Sequence, residues 1–377
     1  DKLWDRCVIL ESCNTHEKEL DDQGCNCLSK AESLLRVHTP IYLQRLQSWQ
    51  PQSKQQQPQQ PQQQTSGRGG DEQQSAPKNP KTKQGLSLLA ARLKLQAQQY
   101  QSVFLTPQSV QAAWRASLAL CQLVSRVLSP QGHTDVVDEE PAGLDNGFAL
   151  IRPPGHHAHC CTASGYSLLN NVAIAAQHAL NNHRDQIQRV VVLDWDLHHG
   201  DGTQSTFYHN PHVLYISLHA QSHFPFSKDC GPQHVGQKGT NVNVAWSRAS
   251  LLRGVGDAEY YAAWKSLVLP LIREYDPQLI LVSCGFDGCD GDDRALNNSE
   301  NNASTHLTPA CFGNLMRALK QDPKICTKIV ATLEGGYLLS NLYNCIQHVV
   351  GALLEPTTSS FDSKDDEEAP DPLALGD

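Results

Sequence analysis

Acidic residues and histidines cluster in four short segments, each of which follows an apolar run rich in β-branched residues. The segments are Arg152-Pro-Pro-Gly-His-His157, Asp194-Trp-Asp-Leu-His-His-Gly-Asp201, Ser283-Cys-Gly-Phe-Asp287 and Glu334-Gly-Gly-Tyr337. If the runs are parallel strands, these segments meet at one sheet edge, and ligands bind at that edge in open α/β folds. Together they predict an active site rather than four unrelated turns.

The second of these segments has the spacing of a metal site. Because strand residues alternate between two faces, Asp194, Asp196 and His198 point to the same side. Asp287 reaches the same edge from another strand. Two carboxylates and one imidazole form an open three-ligand site of the kind that holds catalytic zinc. Such ligands also accept iron, cobalt or manganese, so zinc is favoured over these metals without excluding them.

Groups that move protons accompany this predicted metal site. His156 and His157 follow a rigid Pro-Pro-Gly bend, and histidine exchanges protons near neutral pH. Asp194 and Asp201 can fix the imidazole tautomers, and Tyr337, which follows two glycines, can donate a hydrogen bond to a developing oxyanion. The residue types therefore predict metal-assisted hydrolysis of a carbonyl compound.

The elements that position these residues follow from the apolar pattern. Spacings of three and four residues predict helices over 105–128 and 168–181. Compact apolar runs predict strands at Phe148–Ile151, Val190–Leu193, Val213–Ile216, Leu279–Val282 and Ile329–Leu333. Strands that alternate with helices imply crossover connections, so we expect an α/β fold with a single open, mostly parallel sheet flanked by helices.

Composition divides the 377 residues into an ordered body and two polar segments. Gln, Pro, Ser, Gly and Lys dominate residues 50–83, which we interpret as a disordered insertion, and residues 356–377 form an acidic tail. No segment has the apolar length of a membrane span or the pattern of a signal peptide, and 13 scattered cysteines favour reduced thiols in an intracellular protein. A net charge of −9 argues against direct binding of nucleic acid.

The motifs resemble those of the zinc-dependent histone deacetylases, specifically class II, of the arginase/deacetylase superfamily. The segments that carry the resemblance are Arg152-Pro-Pro-Gly-His-His-Ala158, Asp194-Trp-Asp-Leu-His-His-Gly-Asp-Gly-Thr-Gln204, Tyr215-Ile-Ser-Leu-His219, Gly285-Phe-Asp287 and Leu333-Glu-Gly-Gly-Tyr337. An early segment, Val37-His-Thr-Pro-Ile-Tyr42, is also similar. The resemblance implies a catalytic domain over residues 1–355.

The same resemblance implies a role for each candidate site residue. Asp196, His198 and Asp287 would bind one Zn²⁺ ion, and His156 and His157 would form a histidine pair oriented by Asp194 and Asp201. His157 would be the general base, and Tyr337 would stabilise the oxyanion, at a position where vertebrate class IIa enzymes carry histidine. Gly165, Tyr166 and Phe224 would line a tunnel for the acyl-lysine stem. A structural K⁺ ion would lie near Asp194, Asp196, His198, Ser217 and Leu218.

The chain also departs from the class II pattern. Asp201 replaces the usual asparagine, Tyr166 replaces phenylalanine, the loop at 219–226 is short, and a polar segment at 293–304 replaces a Pro-Leu-Gly-Gly turn. The family's first strand has no counterpart, so we expect the start of the domain to be incomplete. The other histidines, His159 among them, are expected to be surface or core residues.

Three functions remain compatible with the sequence. The first is deacetylation of acetyl-lysine on histone tails or other proteins, and the second is hydrolysis of acetylpolyamines or other small amides, for which we expect a narrowed, acidic gorge. The third is a corepressor scaffold that reads acyl-lysine and recruits corepressor proteins through residues 50–83. A complete set of ligands, paired histidines and tyrosine favours an enzyme, with the nucleus or the cytoplasm as its compartment.

Overall fold

The structure, a computed structural model, describes residues 32–50, 83–129, 144–221, 223–292, 303–325 and 328–356. The interiors of the predicted insertion and tail, and most of the polar segment at 293–304, lie outside these residues. The helices are α1 (Glu32–Val37), α2 (Pro40–Ser48), α3 (Lys83–Ala97), α4 (Ser109–Leu128), α5 (Asn171–Asn182), α6 (Asp201–Phe207), α7 (Arg248–Arg253), α8 (Asp257–Ala263), α9 (Leu269–Tyr275), α10 (Pro309–Gln321) and α11 (Leu339–Leu354). A π-helical segment, Trp264–Val268, joins α8 to α9. None of the described helices has the length and apolar character that a membrane span requires.

Within the described residues, six strands form one parallel sheet. They are β1 (Asn146–Ala149), β2 (Val190–Asp194), β3 (Val213–Ala220), β4 (Asn241–Trp246), β6 (Leu279–Cys284) and β8 (Ile329–Leu333), and their order across the sheet is β1-β8-β6-β2-β3-β4. Two short strands, β5 (Val255–Gly256) and β7 (Thr305–His306), pair separately. The mostly parallel α/β sheet predicted from the sequence is therefore confirmed, and β2 and β6 are adjacent within it.

Differences from the predicted strands have local causes. The first strand is Asn146–Ala149 rather than Phe148–Ile151, because the chain leaves the sheet at Leu150, which is exposed. Strand β4 was not predicted, since its sequence alternates Asn with Val and it lies at the sheet edge with one face only partly covered. An edge strand of this kind lacks the continuous apolar run of the strands at the centre of the sheet.

Helices cover both faces of the sheet. Val191 and Leu193 of β2 face a core that includes Trp264 and Phe312, whereas Val190 and Val192 face a second core on the side of α4 and α5. This alternation is the period-two pattern of a strand buried on both faces. The two cores fix the sheet, and hence the positions of the loops at its carboxyl edge.

The early segment around His38 is attached to the start of α5. Thr39 caps α2 by accepting a hydrogen bond from the backbone N–H of Tyr42, and the Tyr42 hydroxyl donates to the carbonyl of Leu168 at 2.8 Å. The backbone N–H of Asn170 donates to Nε2 of His38 at 3.0 Å. Since Asn170 is the N-cap of α5, these contacts tie α2 to the helix that follows the histidine loop.

Candidate active site

The four chemically active segments meet at the carboxyl edge of the sheet, as the sequence predicted. Asp196 lies two residues beyond β2, Asp287 lies three residues beyond β6, and Glu334 follows β8 directly. The histidine pair lies in the loop that leaves β1. Because β2, β6, β8 and β1 are consecutive neighbours in the sheet, residues far apart in sequence come together in one buried cluster.

Asp196, His198 and Asp287 form a candidate metal centre. One ligand atom from each residue lies within 4.8 Å of the other two, and all three side chains are buried. Nδ1 of His198 is 2.8 Å from Oδ2 of Asp287 and 3.2 Å from Oδ1 of Asp196. Two carboxylate ligands and one imidazole are a donor set that suits a catalytic zinc ion.

Two glycines leave room for these carboxylates. A methyl group at Gly285 would lie 2.0 Å from Oδ2 of Asp196, and one at Gly335 would lie 2.5 Å from Oδ2 of Asp287. The backbone N–H of Gly335 also donates to Oδ2 of Asp196 at 2.9 Å. Gly335, two residues before Tyr337, therefore gives space to the carboxylates of the candidate metal centre.

The electrostatics of the three residues favour a bound cation. Burial opposes protonation of His198, but the charges of Asp287 and Asp196 outweigh it and raise the pKa of His198 to about 10. Burial, together with the charge of Asp196, raises the pKa of Asp287. Buried carboxylates of this kind require a compensating positive charge, which a divalent metal ion supplies.

Each histidine of the pair is held by its own carboxylate. Nδ1 of His156 lies 3.1 Å from Oδ2 of Asp194, and Nδ1 of His157 lies 2.9 Å from Oδ1 of Asp201. The two rings are neighbours, with centroids 4.0 Å apart. Because a carboxylate only accepts hydrogen bonds, both Nδ1 atoms carry hydrogen and both Nε2 atoms remain available for proton exchange.

The two histidines differ in their tendency to hold a proton. Burial lowers the pKa of His156, but the charges of Asp196 and Asp194 outweigh it and hold this pKa well above the ordinary value. Burial, followed by the charge of His156, lowers the pKa of His157 to about 3. His156 therefore favours the cation, and His157 favours the neutral ring that can accept a proton.

Tyr337 is held at the mouth of the site through its backbone. The carboxylate of Asp292 accepts hydrogen bonds from the N–H groups of Tyr337, at 3.1 Å, and Leu338, at 3.0 Å. Desolvation, together with the charges of Asp287 and Asp196, raises the pKa of the Tyr337 phenol. The phenol thus stays protonated and can act as a hydrogen-bond donor at any pH near neutral.

The predicted tunnel residues lie around the histidine pair and Tyr337. Gly165 has a φ of +50°, and a methyl group there would lie 2.4 Å from the ring of His157 and 2.7 Å from that of Phe224. The ring of Phe224 meets His157 edge to face, with centroids 4.9 Å apart. Tyr166 lies 6.1 Å from Tyr337 between ring centroids and is about two-fifths exposed, as is Tyr337.

Sequence reasoning assigned no role to four residues that contact this site. Glu334 accepts a hydrogen bond from the loop of the histidine pair, and the hydroxyl of Tyr215 donates one to Asp194. Asp292 accepts a hydrogen bond from the backbone of Tyr337, and His159 shares the Asp201 carboxylate with His157. Glu334 directly follows a strand, and the sequence placed it in one of the four candidate segments without assigning it a role. Asp292 and His159 carry no local signal, because their partners are distant in sequence. The potassium ion that the resemblance implies stays a prediction.

Comparisons with known proteins agree with this geometry. Residues 8–353 match the histone deacetylase domain. The chain is 32% identical to the polyamine deacetylase HDAC10 of Mus musculus over 94% of this chain and 43% of that protein. It is 37% identical to the histone deacetylase HDA1 of Saccharomyces cerevisiae over 61% of this chain and 30% of that protein. It is 40% identical to the human histone deacetylase 7 over 56% of this chain and 21% of that protein.

The chain spans less than half the length of these curated relatives. The domain match nevertheless covers most of the chain, and it includes the metal centre, the histidine pair and Tyr337. The motifs that resemble class II enzymes in the sequence are thus the ones that converge in the structure. The chain belongs to the histone deacetylase family, with class II members among its relatives.

Proposed function

We propose that this protein is a zinc-dependent deacetylase that hydrolyses acetyl-lysine side chains on histones or other proteins. The observation that carries the proposal is the convergence of Asp196, His198 and Asp287 beside two histidines that are each paired with a carboxylate. A metal centre by itself occurs in proteins of many functions and does not identify a reaction. A metal centre next to a polarised histidine pair and a phenol donor suits hydrolysis of an amide.

The metal would be held by Asp196, His198 and Asp287. When bound there, zinc supplies Lewis acidity that polarises the amide carbonyl and lowers the pKa of water. The residues themselves prepare for this chemistry, because Leu197 and Gly335 donate backbone hydrogen bonds to the carboxylates of Asp287 and Asp196, at 2.9 Å each, and fix their orientation.

His157 acts as the general base in this mechanism. With Nδ1 occupied by Asp201, Nε2 of His157 takes a proton from the attacking water, whose oxygen forms a bond to the carbonyl carbon. The adjacent His156, whose Nδ1 is held by Asp194, contributes mainly through electrostatics to the stabilisation of the negative charge that develops. The low pKa of His157 keeps its ring neutral before the reaction and supports this division of roles.

Tyr337 donates its phenolic hydrogen to the carbonyl oxygen as that oxygen gains negative charge. The carbon–nitrogen bond then breaks, and the proton held by His157 passes to the lysine nitrogen. Acetate and the free amine are the products. The bonds from Asp292 to the backbone of Tyr337 and Leu338 keep the phenol in place at the mouth of the site.

Aromatic rings around the candidate active site support a lysine side chain as the part of the substrate that enters it. Phe224 packs on His157, Tyr166 meets Tyr337, and Phe104 stacks on Tyr166 with centroids 5.9 Å apart. Apolar rings suit the methylene stem of acyl-lysine. Phe104 is about three-quarters exposed and extends this surface outwards, where a polypeptide backbone would lie.

A second candidate substrate is an acetylated polyamine. The observation that favours it is the similarity, over 94% of this chain, to a mouse protein named as a polyamine deacetylase. A polyamine carries positive charges along its chain, and these charges would need acidic partners near the mouth. The two candidates therefore differ in the charge that the entrance must accommodate.

A comparison of three substrates tests the proposal. For each substrate separately, we would measure release of the free amine by the zinc-loaded protein, using an acetyl-lysine peptide, a trifluoroacetyl-lysine peptide and N-acetylspermidine. We expect the highest kcat/KM for the acetyl-lysine peptide. A clear preference for N-acetylspermidine would establish the second candidate, and cleavage of the trifluoroacetyl amide alone would contradict both.

We also propose that the protein works in the nucleus or the cytoplasm and binds acetylated proteins there. Corepressor binding through residues 50–83 is a separate proposal. Deletion of residues 50–83 tests it, because a partner lost from the deletion variant, with peptide hydrolysis kept, would assign these residues to interactions.

A further inference from the structure

His159 shares the carboxylate that holds His157. Oδ1 of Asp201 is 2.9 Å from Nδ1 of His157, and Oδ2 of the same carboxylate is 2.9 Å from Nε2 of His159. Since a carboxylate accepts hydrogen bonds through either oxygen, both imidazoles donate to Asp201. An asparagine at this position would offer one acceptor oxygen and could not satisfy both donors in the same way.

The backbone around Asp201 is fixed against the histidine loop. The N–H of Thr203 donates to the carbonyl of His156 at 3.1 Å, and a methyl group at Gly202 would lie 2.4 Å from the carbonyl oxygen of Ala158. These contacts hold the first turn of α6 against the histidine loop. What remains free is rotation of the Asp201 carboxylate, and a hydrogen bond to its second oxygen restrains that rotation.

His159 is itself held in place by a buried histidine. Nε2 of His38 accepts a hydrogen bond from the backbone N–H of Asn170, so Nδ1 carries the hydrogen and donates to the carbonyl of His159 at 3.0 Å. Burial lowers the pKa of His38 to about 4, so this ring stays neutral. The N–H of His159 donates to the carbonyl of Thr162 at 3.1 Å.

Access to solvent increases along the three side chains. The exposed fraction of the side chain is 5% for His157, 13% for Asp201 and 29% for His159. His159 can therefore exchange protons with water, while His157 lies inside. Through Asp201, a change of charge at the surface reaches the general base.

The charge of His159 has a defined effect on His157. The positive charge of a protonated His159 partly offsets the negative charge of Asp201. The carboxylate then stabilises a proton on His157 less well, and His157 is a weaker base. When His159 loses its proton, Asp201 supports His157 more strongly. The hydrogen bond to Asp201 raises the pKa of His159 against the effect of its partial burial.

Among the described residues, few ionisable groups face His159. Asp201 of α6 bonds the His159 ring, His38 bonds the backbone carbonyl of His159, and Cys160 and Cys161 are on the same loop as His159. His157 and His199 face Asp201 from its other sides. Of these six groups, only Asp201 is a carboxylic acid, so no other carboxylate among them competes for a hydrogen bond from the His159 ring.

We propose that His159 is a positioning residue for the general base, His157. His159 fixes the Asp201 carboxylate through the second carboxylate oxygen, and turnover therefore depends on the ionisation of His159. This inference rests on the proposed function. It concerns a residue that the sequence predicted to be an ordinary surface or core histidine.

The kinetic test compares H159A, which removes the donor, with H159Q, which keeps an N–H donor but cannot ionise. For hydrolysis of an acetyl-lysine peptide by the zinc-loaded protein, we expect H159A to lower kcat about tenfold with little change in KM, the loss expected for one hydrogen bond to a charged group. H159Q should recover part of this loss. The ratio of the wild-type rate to the H159Q rate should rise with pH.

His212, an exposed histidine before β3, supplies the matched control, because H212Q should reproduce the wild-type pH profile. A double-mutant cycle with D201N adds a second check. If His159 acts through Asp201, H159A should have little further effect in the D201N background. Equal losses in H159A and H159Q with a constant pH ratio, or no loss in either, would overturn the proposal.

A readout that does not need turnover separates this inference from the proposed function. In the zinc-loaded full chain with isotopically labelled histidine, NMR gives the pKa of the His159 ring. We expect D201N to lower that pKa. If the wild-type protein hydrolysed no acetyl-lysine substrate, the proposed function would fail, while an unchanged His159 pKa in D201N would refute the shared carboxylate itself.

Discussion

Glu334 accepts a hydrogen bond from the backbone N–H of His156 at 3.2 Å, although the two residues are 178 positions apart. The same carboxylate oxygen accepts from the N–H of Gly155 at 2.7 Å, and the other oxygen accepts from the hydroxyl of Ser283 at 3.2 Å. The end of β8 thus anchors the start of the histidine loop. The anchor is a buried acid, which gives it a dependence on pH.

The stability that Glu334 provides should fall as pH rises. Burial, partly opposed by the charge of His156, raises the pKa of Glu334 from 4.5 to about 7. The folded protein therefore holds the Glu334 proton more tightly than the unfolded chain, and this advantage is complete below pH 4.5 and lost as pH rises through about 7. A shift of this size corresponds to about 3 kcal/mol of unfolding free energy.

Urea unfolding of the metal-free protein checks this expectation. Between pH 5 and pH 8, E334Q should gain stability relative to the wild type, because glutamine keeps an acceptor oxygen and never ionises. E274Q, a change at an exposed glutamate of α9, controls for the general loss of a negative charge. A wild-type to E334Q difference that is the same at both pH values would show that Glu334 ionises as it does in the unfolded chain.

Replacement of Tyr337 by phenylalanine should remove most turnover while the protein still folds and binds zinc. The variant lacks only the phenolic donor, and loss of one oxyanion donor lowers kcat by about 10²–10³. We would measure kcat on the acetyl-lysine peptide together with the zinc content of each preparation. Unchanged turnover at full zinc occupancy would remove Tyr337 from the mechanism.

Removal of a metal ligand should abolish zinc binding and activity together. D287N replaces one of the two carboxylates of the candidate metal centre, and we expect zinc to be lost on dialysis against a chelator and not regained at zinc concentrations that restore the wild type. D290N is the matched control, since Asp290 is exposed and pairs with His306. Elemental analysis gives the result, and full zinc occupancy in D287N would exclude Asp287 as a ligand.

A methyl group at Gly285 should weaken the metal centre without a change in any ligand. In G285A the new atom would lie 2.0 Å from Oδ2 of Asp196, so that carboxylate must move. Displacement of a ligand in this way should cost about tenfold to a hundredfold in zinc affinity, the range found when the groups that orient metal ligands are altered.

Gly351 in α11 provides the comparison for this change. Apart from the backbone of its own helix and its chain neighbours, nothing lies within 4 Å of a methyl group at Gly351, so G351A should leave zinc affinity unchanged and stabilise the helix by about 0.5–1 kcal/mol. Competition with a zinc-sensitive dye gives both affinities. Equal zinc affinities of G285A and G351A would show that Asp196 tolerates the crowding.

The sequence predicted the parts of the protein that local pattern determines. Strands β2, β3, β6 and β8 are buried apolar runs, and the residues just beyond β2, β6 and β8 contain all three candidate metal ligands and Tyr337. Strand β4 was not predicted, because this edge strand alternates polar with apolar residues. The roles of Asp292 and His159 depend on contacts between distant segments, so no spacing along the chain reveals them.

The candidate metal ligands follow two strands, β2 and β6, that are neighbours in the sheet but about 90 residues apart in the chain. No local fragment contains a complete site, and the crossover that carries β3, β4 and the helices up to α9 must close before Asp287 meets Asp196. Contacts of such long range form slowly, because loop closure must come first. Tight zinc binding by a refolding chain should therefore begin only after the central sheet has formed. The time course of zinc binding would then report a late step of folding.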